Sequence, residues 1–317
     1  MAFFRALENA PASLADQGSV IIIGNFDGVH RGHQKLISQA CAQANKNNLA
    51  VCAITFEPNP VKFFSKRMGN KANIFQVQKL SDKIECLAPL VDHVFCLPFN
   101  DALANLRASD FLDKLTYHLG AKCFCVGEDF RIGRNREGDL QCLKSYALVH
   151  NQEAKVLGAL FDDFGERISS TLIRAKLREG DLPCASRLLG RNYAISGKVG
   201  YGLKLGRQWG FPTANIALSR SQLPLEGIFA VKVVAIDNKM TDLYGVASIG
   251  TNPTIGDNIA KKLEVHLFDF NQDLYGKRLK VEFIEKMRDE EKFTDIETLV
   301  RAIHIDVAQA KAILLLE

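Results

Sequence analysis

At 317 residues the chain is long enough for two domains, each with a core of its own. Hydrophobic content of 47% and charged content of 24% are ordinary for a soluble globular protein. The formal net charge of +4 is spread along the chain, which argues against a dedicated nucleic-acid binder and leaves room for small anionic substrates such as nucleotides.

The N-terminus, Met1-Ala2-Phe3-Phe4-Arg5, turns polar by Glu8 and lacks the apolar stretch of a signal peptide. Val20-Ile21-Ile22-Ile23 is a continuous apolar run ended by Gly24, as in a strand buried on both faces. After the loop Gly24-Asn25-Phe26-Asp27-Gly28-Val29-His30-Arg31-Gly32-His33, Leu36, Ile37, Ala40, Cys41 and Ala44 recur at helical spacing. Val51 to Phe56 reads as the next strand, closed by Pro58 and Pro60. Val94–Leu97 follows a helical stretch, and Lys122–Val126 follows another that begins near Ser109-Asp110, residues of the capping type. Alternating strand and helix predicts a parallel α/β sheet with right-handed crossovers, in which ligands bind at the carboxyl ends of strands. The loop after Ile23 lies at such an end. A helix over Leu172–Arg178 precedes the expected domain boundary at Leu182-Pro183, giving domains 1–182 and 183–317.

The rhythm then changes. Ile228–Ile236 runs into the turn signal Asp237-Asn238-Lys239, and strand-like segments recur at Leu243–Ile249, Leu263–Phe270 and Leu279–Ile284 among frequent glycines. This predicts an antiparallel β-barrel or sandwich. An amphipathic helix closes the chain, with Ile296, Leu299, Ile303, Val307, Ala310 and Leu314 on one face. No run reaches the ~18 apolar residues of a membrane span. The eight cysteines (Cys41, Cys52, Cys86, Cys96, Cys123, Cys125, Cys142 and Cys184) contain no Cys-x-x-Cys pair and lie mostly in apolar runs. Buried free thiols, a reducing compartment and a cytosolic location are expected.

His30 and His33 flank Gly32 between a strand and a helix. Attack of a phosphate oxygen on the α-phosphorus of ATP builds charge on non-bridging oxygens, and fixed donors stabilise it. Two imidazoles and a helix N-terminus can supply those donors, while Gly28 and Gly32 let backbone approach the phosphates. An attacking phosphate is already ionised, so no general base is needed. Farther on, Arg167-Ile168-Ser169-Ser170-Thr171-Leu172-Ile173-Arg174 offers hydroxyls, backbone N–H groups and two arginines at a helix start, suited to a triphosphate. Taken singly, the first motif is equally a tight strand-to-helix turn and the second an ordinary Ser/Thr cap.

Together they resemble the nucleotidyltransferase superfamily of cytidylyltransferases, adenylyltransferases and class I aminoacyl-tRNA synthetases. Thr55-Phe56-Glu57-Pro58-Asn59-Pro60 and Val126-Gly127-Glu128-Asp129-Phe130-Arg131-Ile132-Gly133-Arg134-Asn135-Arg136-Glu137-Gly138 narrow this to the FAD synthetase branch. The resemblance implies a Rossmann-like domain with His30 and His33 catalytic. It puts ATP on Gly24, Phe26, Asp27, Gly28, Gly32, Arg167, Ser169, Ser170, Thr171 and Arg174, and flavin on Asn59, Asp129 and Phe130. Asn59 departs from the pattern, the family usually having His there, so altered contacts are expected at that point.

In the second half, Gly197-Lys198-Val199-Gly200-Tyr201-Gly202-Leu203-Lys204-Leu205-Gly206-Arg207 is glycine-dense but is neither a Walker A loop nor a dinucleotide fingerprint. In Gly210-Phe211-Pro212-Thr213-Ala214-Asn215, the Thr hydroxyl and Asn carbonyl stand two residues apart on an extended segment and point the same way. They can share a Mg²⁺ with nucleotide phosphates, or simply cap a turn. Leu263-Glu264-Val265-His266-Leu267-Phe268-Asp269-Phe270 alternates, and a carboxylate on such a strand needs a reason: a general base, or a salt bridge.

These segments resemble the flavokinase family, as do Gly245–Thr254, Asp273-Leu274-Tyr275-Gly276 and Lys286–Phe293. The likeness over both halves runs from about residue 19 to residue 293. It implies an α/β nucleotidyltransferase domain followed by a flavokinase-type antiparallel barrel with a C-terminal helix. The implied reactions phosphorylate riboflavin to FMN and adenylate FMN to FAD, both with ATP and Mg²⁺. Glu264 becomes the kinase base, Thr213 and Asn215 the metal and ATP ligands, and Gly197, Lys198, Gly202, Gly206 and Arg207 further ATP contacts. Arg288 becomes a flavin-side contact, and Asn252 stands where many members carry Arg. Partners are small molecules, without nucleic acid or membrane, on a monomer or weak homo-oligomer. One rival is a nucleotidyltransferase for another phosphorylated small molecule, which leaves the second half unexplained. The other is a flavin-binding module whose activity has decayed, which predicts missing catalytic side chains, whereas His30, His33, Thr213, Asn215 and Glu264 are all present.

Overall fold

The computed structural model describes residues 1–69, 75–202, 206, 209–218, 223–235, 240–251 and 261–316. The chain forms two compact units, Met1–Ser170 and Thr171–Glu317.

The first unit is built on a sheet of six parallel strands in the order β1-β4-β3-β2-β5-β6. These are β1 (Ala2–Phe4), β2 (Ser19–Ile23), β3 (Ala50–Glu57), β4 (His93–Pro98), β5 (Ala121–Gly127) and β6 (Glu153–Leu157). The two edge strands carried no strand signal in the sequence: β1 is three residues long, and the half-exposed β6 reads as polar. Strand β2 is buried along its whole length because both its faces are covered. Val20 and Ile22 pack with Leu36, Ile37 and Ala40 of the helix Arg31–Asn47, while Ile21 and Ile23 pack with Phe111, Leu112 and Leu115 of the helix Ala108–Leu119.

The latter helix begins near Ser109-Asp110 as expected, but neither residue caps it. Its N-cap is Arg107, with no side-chain cap bond, and the Ala108 N–H donates instead to Glu137 Oε1 at 3.1 Å. An acceptor distant in sequence replaces the local one. From β2 the sheet grows through β3 and β4 on one side and through β5 and β6 on the other, so the crevice at the carboxyl ends of β2 and β5 is the topological switch point.

The second unit is a closed six-stranded barrel in the order β10-β11-β8-β7-β12-β9, antiparallel throughout, which decides between barrel and sandwich. Its strands are β7 (Tyr193–Gly200), β8 (Thr213–Ile216), β9 (Gly227–Ala235), β10 (Met240–Thr251), β11 (Lys261–Leu267) and β12 (Arg278–Arg288). Phe229, Val231, Ile249, Leu263, Val265, Val281 and Phe283 are buried in its core. The C-terminal helix Ile296–Ile313 contacts β9, β10 and β12. All eight cysteines are free, and burial pushes the Cys52 thiol up to about 12, away from reactivity. Among the described residues no helix is long and apolar enough to cross a membrane.

Candidate active sites

The loop after β2 turns through three left-handed residues, Phe26 (φ 47°), Gly28 (φ 88°) and Val29 (φ 41°). For a β-branched residue such as Val29 this conformation is strained, on the order of 1–3 kcal/mol. The strain is held by burial: Phe26 and Val29 are 0% and 1% exposed and belong to the core beneath the helix Arg31–Asn47. Hydrogen bonds fix the remaining backbone. Gly24 N–H donates to Ile54 O (3.0 Å), Gln34 Nε2 to Val29 O (2.8 Å) and Ser170 Oγ to Asp27 O (2.8 Å).

His30 is the N-cap of that helix, its Nδ1 accepting the His33 N–H at 3.4 Å. An accepting Nδ1 puts the imidazole proton on Nε2. The two imidazoles stack with centroids 3.7 Å apart, and the His33 ring also meets the Phe26 edge at 5.3 Å. A Cβ on Gly32 would lie 3.1 Å from His30 Nδ1, so a larger residue there would press on the ring. Two imidazoles and the first N–H groups of a 17-residue helix thus converge at the switch-point crevice, an arrangement able to hold phosphate oxygens.

Around this centre the structure joins several sequence-predicted residues. Arg167 Nη2 lies 3.2 Å from Asp129 Oδ2 and 3.3 Å from Glu128 Oε1, so the expected phosphate and flavin contacts meet in one ion-pair cluster. The Ser170 hydroxyl hydrogen is directed at Asp27 O, which leaves its oxygen and backbone N–H for a ligand. Phe130 is 7% exposed and packs in the core with Ile132 and Val126. Asn59 caps the helix Pro60–Arg67 through Val61 N–H (2.9 Å), a task its side-chain oxygen performs well. Ser169 is half-buried, whereas Thr171 and Arg174, on the first turns of the helix Ser170–Glu179, belong to the second unit.

Sequence reasoning missed Lys83, on the helix Leu80–Leu87. It is 5% exposed and donates to Asn25 O (3.1 Å) and Thr55 Oγ1 (2.9 Å). Burial holds its pKa below the ordinary lysine value, against the opposing influence of Cys96, Glu57 and Asp27. Its only sequence signal was a lysine on the inner face of a helix.

In the barrel, register assembles the second site. Asn215 pairs with Glu264 and Glu264 with Ser248, while Thr213 pairs with His266. Strand β11 buries Leu263, Val265 and Leu267 inward, which turns Glu264 and His266 to the outer wall. There Thr213 Oγ1 donates to Glu264 Oε2 at 3.5 Å, and His266 Nδ1–H donates to Pro212 O at 2.9 Å. A Cβ on Gly202 would lie 2.4 Å from Asn215 Nδ2, so only glycine admits that amide. Gly197 and Gly206 likewise press on backbone, their Cβ positions 2.5 Å and 2.4 Å from Ala217 O and Phe211 O. Lys198 is exposed, and Arg207 and Asn252 lie outside the described residues.

A cleft of about 360 Å³ opens between this wall and the C-terminal helix. Trp209, Phe211, Phe293, Leu299 and Ile303 give it apolar sides, and Thr213, Asn215, Glu264 and Glu290 its polar ones. The apolar stripe of the helix therefore faces a cleft as well as a core. Arg288 lines the same cleft, but its guanidinium is gripped by Asp306 through two bonds of 2.8 Å, which hold its pKa above the ordinary value. Asp306 interrupts the apolar stripe three residues after Ile303, a signal the sequence did carry. A second cleft of about 590 Å³, lined by Asn271, Gln272, Asp273 and Tyr275, also reaches Thr213. The hydroxyl, amide and carboxylate oxygens of Thr213, Asn215 and Glu264 are a donor set suited to a hard dication.

A family model described as FAD synthetase matches residues 12–172, and one described as riboflavin kinase matches residues 189–314. The chain is 39% identical over 313 residues to a bifunctional riboflavin kinase/FMN adenylyltransferase of Escherichia coli (strain K12), covering 98% of this chain and 97% of that one. To the protein of the same description in Haemophilus influenzae it is 40% identical over 319 residues, covering 98% and 99%. A crystal structure described as a macrolide-efflux protein from Streptococcus pneumoniae superposes with a TM-score of 0.81 at 28% identity, covering 96% of each chain.

Proposed function

The chain belongs to the bifunctional riboflavin kinase/FMN adenylyltransferase family, and we propose that its two sites divide the work residue by residue as follows. In the barrel, the ribityl 5′-hydroxyl of riboflavin attacks the γ-phosphorus of ATP. Glu264 takes the hydroxyl proton, the new P–O bond forms and ADP leaves. The flavin ring suits the cleft sided by Trp209, Phe211 and Leu299, and the nucleotide suits the more polar second cleft; both reach Thr213. Thr213 and Asn215 would hold Mg²⁺, which when bound neutralises phosphate charge.

In the first unit a phosphate oxygen of FMN attacks the α-phosphorus of ATP, FAD forms and pyrophosphate leaves. His30 and His33 donate to the charged non-bridging oxygens, together with the N–H groups that open the helix Arg31–Asn47. Ser170 holds the leaving pyrophosphate, while Asp129 and Asn59 face the flavin. Arg167 reaches the phosphates by exchanging its carboxylate partners for them.

The observation that carries the first assignment is the stacked imidazole pair at a helix N-terminus. For the second it is the register that sets Glu264 beside Thr213 and Asn215. Domains of 1–182 and 183–317, a cytosolic location and a monomer or weak homo-oligomer acting on small molecules complete the proposal. The test is purified protein with riboflavin, ATP and Mg²⁺, with flavins separated by chromatography. FMN and FAD should appear with ADP and pyrophosphate, and folded protein that makes neither flavin would refute the assignment.

A further inference from the structure

Three segments remote in sequence meet at one ammonium group. Lys83 Nζ donates to the carbonyl of Asn25, in the catalytic loop, and to the hydroxyl of Thr55, at the end of β3. Thr55 Oγ1 itself donates to Asn25 O at 3.2 Å, closing a triangle of hydrogen bonds. Thr55 is fully buried and Lys83 nearly so, and among the described residues no carboxylate pairs directly with the ammonium. A buried cation without an ion pair is costly, and a Met of similar length would fill the space at no such cost. The groups facing it are Asp27 in the loop, Glu57 on β3 and Cys96 on β4.

We infer that Lys83 is a positioning residue for adenylyl transfer, pinning the Asn25 carbonyl so that the strained turn at Phe26–Val29 presents His30, His33 and the helix N-terminus in register with the α-phosphate. The inference rests on the adenylyltransferase assignment of that loop. The Asn25 carbonyl immediately precedes the left-handed Phe26, so its direction sets the path of the loop. An anchor at this point acts on the geometry of the transition state rather than on substrate affinity.

The test is steady-state FAD synthesis from FMN and ATP by the full chain, with Lys83→Met and Lys83→Arg beside the wild type. FMN formation from riboflavin is followed in the same preparations, and folding by thermal melting. A displacement of about 1 Å in a reacting group costs up to ~100-fold, so Lys83→Met should lower kcat for FAD synthesis by roughly 10- to 100-fold. Both KM values should stay within about threefold, and riboflavin phosphorylation should be unchanged. Lys83→Arg, which keeps the charge and donors, should recover most of the lost kcat. Wild-type kcat in Lys83→Met, or a loss confined to KM, overturns the inference. If Lys83→Met does not fold, Thr55→Val removes one leg of the triangle and should lower kcat roughly 3- to 10-fold, as for one charge-assisted hydrogen bond; unchanged kcat there also overturns it. Wild-type protein that makes no FAD from FMN overturns the adenylyltransferase assignment and this inference with it.

Discussion

In the first unit the residues proposed for adenylyl transfer lie deep: Asp27 and His30 are 5% and 6% exposed and His33 is half-buried, on a loop whose apolar side chains belong to the core. In the second, Thr213 is exposed and Glu264 and His266 half-buried, on the outer wall of a barrel whose core lies on the other face. The first site is thus a part of the fold, and the second is mounted on it. The adenylyl-transfer loop bears backbone strain because the core over-determines its conformation, whereas the kinase wall has ordinary strand geometry that needs no such support. Catalytic geometry should therefore be coupled to stability in one unit and nearly independent of it in the other.

The sharpest test of that contrast is Glu264→Ala. Loss of a general base should lower FMN formation by roughly 10²–10⁴ in kcat, with the melting temperature nearly unchanged and FAD synthesis from FMN intact. A large fall in stability would break the comparison. In the other unit, His33→Ala should lower FAD synthesis by roughly 10²–10³, as for removal of one oxyanion donor, with riboflavin phosphorylation intact. Because the His33 ring stacks on His30 and meets Phe26, the same substitution should also lower the stability of the first unit, measurable by calorimetry.

The two sites were also unequally legible in the sequence. His30, His33 and the glycines lie within ten residues, between a strand and a helix that the apolar pattern marks, so local reading suffices for them. Thr213 and Asn215 come from one strand and Glu264 from another, and their adjacency depends on register, which a single chain does not display. Their residue types suggested chemistry, but only the ladder puts Asn215 opposite Glu264. Lys83 was invisible for a different reason: a lysine on an amphipathic helix reads as solvated until its surroundings are known. The helix Ala108–Leu119 starts where the sequence suggests, but its cap was not legible, since its first N–H is satisfied by Glu137 from a later loop.

A smaller effect should come from the seam between barrel and C-terminal helix. Asp306, 4% exposed, grips the Arg288 guanidinium from the helix side. Asp306→Ala leaves that charge without its partner and should destabilise the second unit by about 3 kcal/mol. Because both residues line the flavin-suited cleft, KM for riboflavin should rise more than kcat falls. A variant with unchanged stability would show that the helix is held by its apolar stripe alone.

The mildest effect is set by pH at the start of the same helix. Asp295 caps it by accepting from Thr298 N–H at 2.8 Å, and that bond, with help from the Thr298 and Thr294 hydroxyls, holds its carboxyl below the usual carboxylate value. A carboxyl depressed on folding contributes stability that is fully present above its unfolded pKa, ~3.9. That stability is lost as pH falls through the lower folded value. Melting of the second unit followed from pH 6 down to pH 3 should therefore show an acid-sensitive component that begins near the unfolded pKa and grows below it. Asp295→Asn retains an acceptor for the Thr298 N–H but cannot be protonated in this range, so it should flatten that component while leaving the melting temperature at pH 6 almost unchanged. An unaltered acid slope in Asp295→Asn would show that the Asp295 cap contributes nothing measurable to the acid stability of the second unit.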